Sequence, residues 1–145
     1  NWETDVSMNN IRRRNLVSIA VLWILPVLWM IVIFIGSSLS SNTINHATQT
    51  HHYPLSLALA HIGEFAVLSI LCHRLIRSYK FLPTGWAWIA VVTITALYAV
   101  TDELHQMFVP SRVPSIVDLG FDLIGAVVGI AVYETKMRIL NVLGQ

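Results

Sequence analysis

The hydrophobic residues of this chain fall into four long runs that are separated by shorter polar segments. The runs are Leu16–Ile35, Leu55–Ile76, Trp86–Val109 and Ile116–Tyr133. Each run is close to the about 20 residues that an α-helix needs to cross about 30 Å of hydrocarbon. The pattern therefore predicts an all-α, polytopic membrane protein built as a bundle of four transmembrane helices.

The composition supports this class, because 55% of the residues are hydrophobic and only 12% are charged. Such a chain is not an ordinary water-soluble domain. We predict a cytoplasmic N-terminal tail at residues 1–15, a four-helix transmembrane domain at 16–135 and a cytoplasmic C-terminal tail at 136–145. The first run is longer than the about 7–15 apolar residues of a signal peptide, so we expect it to be retained as a helix.

The basic residues indicate the orientation of the bundle. All of them except Arg112 flank alternate ends of the apolar runs. They are Arg12, Arg13, Arg14, Arg74, Arg77, Lys80, Lys136 and Arg138. Positive residues accumulate in cytoplasmic segments, so both termini and the Arg74–Lys80 loop are predicted to be cytoplasmic. This N-in, C-in topology leaves Arg112 on the outside.

Five carboxylates lie inside or at the ends of the apolar runs, and the predicted topology places all five near the outer face of the membrane. They are Glu64, Asp102, Glu103, Asp118 and Asp122. A charge at the centre of a transmembrane helix costs roughly 2.5–3.5 kcal/mol on insertion scales. Such residues indicate a functional site or, as the structural alternative, polar contacts that hold the four helices together.

Arg112 is the one basic residue expected near these carboxylates, in a loop that Pro110 and Pro114 restrict. A single guanidinium cannot neutralise five acids. We therefore expect at least one of Glu64, Asp118 and Asp122 to be protonated, and the other acids to pair with a histidine, meet water or bind a cationic group.

Spacing predicts which of these side chains share a helix face. His61 and Glu64 are three residues apart and share one face. Asp102 and Glu103 diverge by about 100° around the helix axis, so we expect only one of them to face the core. Gln106 is within reach of either acid.

The fourth run begins with Asp118 and Asp122, which are stacked one turn apart. The same stripe continues into Gly125 and Gly129, a Gly-x-x-x-Gly pair that lets another backbone approach closely. This helix is therefore predicted to point one stripe inward, with two acids at its outer end and small residues deeper in the bundle.

Three motifs occur in order along the chain. They are Ser37-Ser38, then His61-x-x-Glu64-Phe65 followed by Leu68, then Asp102-Glu103-x-x-Gln106-x-Phe108-x-Pro110-x-Arg112-x-x-Ser115-x-x-Asp118. In these residues the chain resembles the VanZ family, from about Ser37 to Gly129. It departs from the family pattern at residues 57–60, where members often carry an acidic residue or lysine, at Ser111, where glycine is common, and at Asp122, where asparagine is common.

The resemblance implies a bacterial cytoplasmic (inner) membrane protein whose namesake is associated with low-level resistance to teicoplanin rather than to vancomycin. Teicoplanin carries an acyl chain and vancomycin does not, so we expect an outer-leaflet site for a lipid-bearing amphiphile. The expected partners are membrane lipids, a lipoglycopeptide or a lipid-linked envelope intermediate, with Arg112 holding a phosphate or carboxylate. The predicted ligand-binding residues are Ser38, His61, Glu64, Asp102, Glu103, Gln106, Arg112, Ser115, Asp118 and Asp122.

Two other functions stay open. One is an enzyme that acts on a lipid-linked envelope substrate, with acid–base candidates at four positions. These candidates are His61, Glu64, Glu103 and Asp118. No Gly-x-Ser-x-Gly motif supports it, and the only cysteine, Cys72, is expected to be a core residue. The other is an accessory subunit, for which an exposed Gly-x-x-x-Gly stripe would contact a membrane-protein partner.

Metal binding has less support, although His61-x-x-Glu64 and Asp102-x-x-His105 each place two potential ligands on one face. Their order differs from helical dimetal sites, so no metal and no other cofactor is predicted. The remaining outer histidines, expected in a solvated loop, are His46, His51 and His52. The basic residues form no wide patch, so no nucleic-acid partner is predicted. Proton transport is not favoured, because we expect no polar residue to mark a pathway through the inner half.

Overall fold

The computed structural model describes residues 2–38, 55–79, 82–110 and 112–144, with side chains from residue 18 onward. These residues form four helices and no strand. The helices are α1 (Trp2–Ser38), α2 (Leu55–Ser78), α3 (Thr84–Gln106) and α4 (Ile116–Leu143). Each contains a segment long and apolar enough to cross a membrane, which in α1 is Ser18–Ser38. The prediction of an all-α, four-helix, multi-pass membrane protein is confirmed, and its orientation stays a prediction.

The helices differ from the predicted spans mainly at their ends. α1 already begins at Trp2, and α4 continues to Leu143, beyond the predicted end of the transmembrane domain at residue 135. α3 stops at Gln106, three residues before the predicted Val109. Pro110 accounts for this early end, because proline has no amide hydrogen and disfavours helical geometry in the preceding residue.

Gly125 and Gly129 of α4 allow this helix to lie directly against the backbone of α2. A Cβ atom at Gly125 would collide with the Ile62 carbonyl oxygen and would lie 3.0 Å from the Ile62 Cα. A Cβ atom at Gly129 would collide with the Ala66 carbonyl oxygen and the Ser69 hydroxyl. The predicted close approach is therefore made within this chain. Both glycines are buried by α2, so the prediction of an exposed stripe for a partner protein is wrong.

The core joins all four helices through side chains that are almost completely buried. Its members are Ile33, Phe65, Leu68, Cys72, Val91, Ala99 and Ile130. The expectation that Cys72 is a core residue is confirmed, since it is 4% exposed. From α1, the partly buried Trp29 and Met30 also pack against this core. Trp23 and Val27 of α1 are about half exposed, as expected for a helix surrounded by lipid.

Two hydrogen bonds from aromatic side chains fix the position of α1 along the bundle. The Trp29 indole nitrogen donates to the Glu64 carbonyl oxygen of α2 at 2.9 Å, and the Tyr98 hydroxyl of α3 donates to the Met30 carbonyl oxygen. A backbone carbonyl oxygen can accept two hydrogen bonds, so it can keep the bond within its own helix and accept a second one from a neighbouring helix. These contacts bring the end of α1 beside the end of α3, where the polar residues gather.

Candidate functional site

Polar side chains, most of them buried, gather at the end of the bundle where α1 and α3 finish and α2 and α4 begin. We call these residues the polar cluster. They are Ser37, His61, Glu64, Asp102, Glu103, Gln106, Arg112, Ser115, Asp118 and Asp122. Asp122 is 1% exposed, Asp102 4% and Asp118 6%. All five carboxylates singled out in the sequence thus lie at one end of the bundle.

His61 connects α2 to the first turns of α4. Its Nδ1 atom lies 2.9 Å from the Asp122 Oδ1, and its Nε2 atom lies 3.9 Å from the Asp118 Oδ2. The glycine contact explains this geometry, because Gly125 follows Asp122 by one turn and packs on Ile62, the neighbour of His61. His61 therefore pairs with carboxylates of α4 and not with Glu64, which lies on the same helix as His61.

Asp102 joins the ends of α1 and α3. The Ser37 hydroxyl donates to its Oδ1 at 2.7 Å, and the Gln106 side-chain amide donates to its Oδ2 at 2.9 Å. The Asp102–Gln106 pair is one of the two pairs that the spacing allowed. Ser38, which was placed in the predicted site, is exposed and donates instead to the Phe34 carbonyl of its own helix at 2.6 Å. The serine that reaches the polar cluster is Ser37.

Glu103 joins the end of α3 to the start of α4. Its Oε2 accepts from the Ser115 amide at 2.8 Å, and Ser115 caps α4 by accepting from the Val117 and Asp118 amides. Both Asp102 and Glu103 are buried, so the expectation that only one of them faces the core is wrong. The end of α3 lies between α1 and the start of α4. The Asp102 side chain therefore contacts α1, and the Glu103 side chain contacts the start of α4.

Several buried polar atoms of the polar cluster have no hydrogen-bond partner among the described residues. They are Oε1 of Glu103, Nε of Arg112 and Oδ2 of Asp122. A buried polar atom without a partner typically costs about 1–3 kcal/mol. The cluster therefore contains one buried donor and two buried acceptors that are available to a polar ligand.

Comparison with known families now identifies the chain, because the family model for VanZ/LLP1 matches residues 22–140. The chain belongs to the VanZ/LLP1 family. The match begins in α1 and ends in α4, so it includes every member of the polar cluster. Comparison with curated proteins and with solved structures gives no match. The resemblance inferred from the motifs is confirmed at the level of the family.

Glu64 is the most accessible carboxylate of this VanZ/LLP1 cluster. It is half-buried in α2, close enough to His61, Asp102 and Arg112 to interact electrostatically with each. Glu64 therefore has both basic and acidic neighbours in the polar cluster.

Among the described residues of this VanZ/LLP1 protein, no group of three or more histidine, cysteine or acidic side chains is arranged to hold a metal ion. His105, a potential partner of Asp102, instead stacks on Phe34 with ring centroids 4.0 Å apart. The three histidines that were predicted to lie in a solvated loop are outside the described residues. They are His46, His51 and His52.

A second polar contact lies toward the opposite end of the bundle and was missed in the sequence. His73 is completely buried, and its Nε2 lies 3.1 Å from the Glu134 Oε1, which also accepts from the Trp88 indole at 3.2 Å. The expectation that no polar residue marks this half is therefore wrong. The signal was present, because His73 interrupts an apolar run in the same way as Glu64 does.

The neighbouring serines provide a matched test of the α1–α3 contact. We expect Ser37→Ala to lower the free energy of unfolding by about 1–2 kcal/mol, because the buried Asp102 carboxylate loses a donor. Ser38→Ala should change it by less than about 0.5 kcal/mol, since Ser38 is exposed. Equilibrium unfolding in detergent, followed by tryptophan fluorescence, measures both. Equal losses in the two variants would contradict the assigned contact.

Proposed function

We propose that this chain is a bacterial cytoplasmic membrane protein whose polar cluster binds the head of a lipid-bearing amphiphile at the outer leaflet. The observation that carries the proposal is the set of unpartnered buried atoms on Glu103, Arg112 and Asp122 at the end of four apolar helices. A N-in, C-in orientation, inferred from the basic residues, is part of the proposal.

The surface beside Arg112 suits a ligand that has an apolar chain. Phe108, Val113 and Ile116 lie within four residues of Arg112 in the sequence, and each is more than four-fifths exposed, at 84%, 81% and 86%. Large exposed apolar residues next to buried polar ones favour a ligand with both characters. An acyl chain would pack on these residues while the head enters the polar cluster.

The polar groups of the cluster fit a charged or hydroxyl-bearing head. The Arg112 guanidinium has the planar, bidentate geometry that binds phosphate and carboxylate groups. The free acceptor atoms of Glu103 and Asp122 suit an amine or sugar hydroxyls. Such a head is present in lipoglycopeptides and in lipid-linked envelope intermediates. Low-level resistance to teicoplanin, implied by the VanZ resemblance, would follow from binding such a molecule or its target.

Antibiotic susceptibility tests this function directly. Bacteria that express the wild-type chain are expected to tolerate severalfold more teicoplanin than vector controls, with vancomycin susceptibility unchanged. Arg112→Ala, Glu103→Gln and Asp118→Ala should each remove most of this protection, because Arg112 and Glu103 are proposed to hold the head and Asp118 lies beside His61, which contacts Asp122. The minimal inhibitory concentrations are compared at membrane abundances matched by immunoblot.

Lys136→Gln is the control, because Lys136 is an exposed residue near the other end of α4 and its loss leaves the polar cluster intact. It should protect as well as the wild type. Absence of protection by the wild type would contradict the link to teicoplanin. Full protection by all three cluster variants at matched abundance would contradict a role for the polar cluster.

An enzyme acting on a lipid-linked substrate is the second candidate, favoured by one specific contact. A carboxylate at 2.9 Å from the Nδ1 of His61 orients the imidazole as in general-base sites, and its Nε2 lies near Asp118. Glu64 and Glu103 complete the set of acid–base candidates. Incubation of the purified protein with lipid-linked cell-wall precursors, followed by mass spectrometry, tests this, and an unchanged precursor pool argues against it.

A further inference from the structure

A second concave site lies at the end of the bundle opposite the polar cluster. α1, α2 and α4 enclose a cleft of about 760 Å³, which we call the basic cleft. It is lined by Ser18 and Leu22 of α1, by Arg74 and Arg77 of α2, and by Arg138 and Asn141 of α4. None of these residues belongs to the polar cluster, so the basic cleft is a separate candidate site.

The depth of the basic cleft corresponds to the headgroup level of a membrane. At 1.5 Å per residue, Arg74 lies roughly 29 Å along α2 from Leu55, and Arg138 roughly 33 Å along α4 from Ile116. The hydrocarbon core is about 30 Å thick. When the starts of α2 and α4 lie at one interface, these guanidinium groups therefore lie at the other.

The charges in the basic cleft are unbalanced. Three arginines line it together with one carboxylate, that of Glu134. Glu134 already contacts His73 and Trp88. Among the described residues, no carboxylate lies within 4.0 Å of a side-chain nitrogen of these arginines. Arg77 donates one hydrogen bond, to the Thr84 hydroxyl at 3.2 Å, and a guanidinium has five donors.

We propose that the basic cleft binds the phosphodiester headgroup of an anionic glycerophospholipid. Guanidinium groups bind phosphate oxygens bidentately, and three arginines line this cleft. Ser78 and Asn141 supply hydrogen-bonding groups suited to a hydroxyl-bearing headgroup. Val21, Leu22 and Met137 form apolar walls, which fit the start of an acyl chain and have no role for free phosphate. This site goes beyond the proposed function, because it lies at the other end of the bundle.

Lipid titration of the full-length, detergent-purified chain tests the proposal, with bound lipid measured by native mass spectrometry. The wild type is expected to bind phosphatidylglycerol at least about tenfold more tightly than phosphatidylcholine. Arg138→Gln should weaken phosphatidylglycerol binding about fivefold, and Arg74→Gln combined with Arg138→Gln roughly 25-fold. Arg138→Lys keeps the charge without the bidentate geometry, so it should weaken phosphatidylglycerol binding less, by about two- to threefold.

Lys136→Gln is the matched control, since it removes the same charge from the same helix, two residues away. Lys136 lines a different groove, so phosphatidylglycerol affinity should change less than about twofold. Equal affinity of the wild type for the two lipids, or equal weakening by Lys136→Gln and Arg138→Gln, would overturn the proposal. So would displacement of phosphatidylglycerol by millimolar inorganic phosphate, because the ligand would then be the free anion. The readout does not depend on the polar cluster or on teicoplanin.

Discussion

Replacing Gly129 by valine is expected to force α2 away from α4 and to lower the free energy of unfolding by about 3 kcal/mol. Even the first added carbon would collide with the Ala66 carbonyl oxygen and the Ser69 hydroxyl. Side chains can rotate away from such a collision, but a helix backbone cannot, so the helices must separate. Overpacking of a closely packed interface typically costs about 1–3 kcal/mol, and a backbone clash belongs at the upper end.

Gly120→Val provides the matched control for that experiment. Gly120 lies on the same helix, and a Cβ atom there would meet no atom within 4 Å. The two substitutions are chemically identical, so helix propensity changes alike in both. Unfolding in mixed micelles, followed by tryptophan fluorescence, should show a large loss for Gly129→Val and a change below about 0.5 kcal/mol for Gly120→Val. Similar losses would mean that the close α2–α4 contact does not hold the bundle together.

The four-helix architecture could be predicted because lipid imposes a length of about 20 apolar residues on every spanning helix. The exact helix ends could not, since polar residues beyond the hydrocarbon can continue a helix, as they do where α4 passes residue 135. The Gly-x-x-x-Gly pair predicted a close helix contact. It did not identify the partner, because any helix with a smooth face would suffice, and Ala66 and Ser69 give α2 such a face.

The residues of the candidate site were easier to predict than their contacts. Buried carboxylates stand out in apolar runs, and so the acids of the polar cluster were found. Spacing along one helix predicts contacts within that helix, as for Asp102 and Gln106. It cannot give the rotation of one helix relative to another. That rotation decides whether Ser37 or Ser38 meets Asp102, and whether His61 pairs with Glu64 or with Asp122.

The contact between His61 and Asp122 is expected to give the largest energetic coupling in the polar cluster. Asp122→Ala should lower the free energy of unfolding by about 2–3 kcal/mol, because it leaves the buried imidazole without its partner at 2.9 Å. Asp122→Asn keeps the shape and an acceptor oxygen, so its cost should be smaller, about 1 kcal/mol.

A double-mutant cycle of His61→Ala and Asp122→Ala isolates this coupling. Once either partner is absent, removing the other relieves an unpaired buried polar group, so the double variant should be more stable than additivity predicts, by about 1–2 kcal/mol. Repeating the cycle with His61 and Glu64 supplies the comparison, because these two share a helix face while His61 pairs with Asp122 instead. Their coupling should stay below about 0.5 kcal/mol. A larger coupling of His61 to Glu64 than to Asp122 would mean that the same-helix pair, and not the contact between α2 and α4, organises the polar cluster.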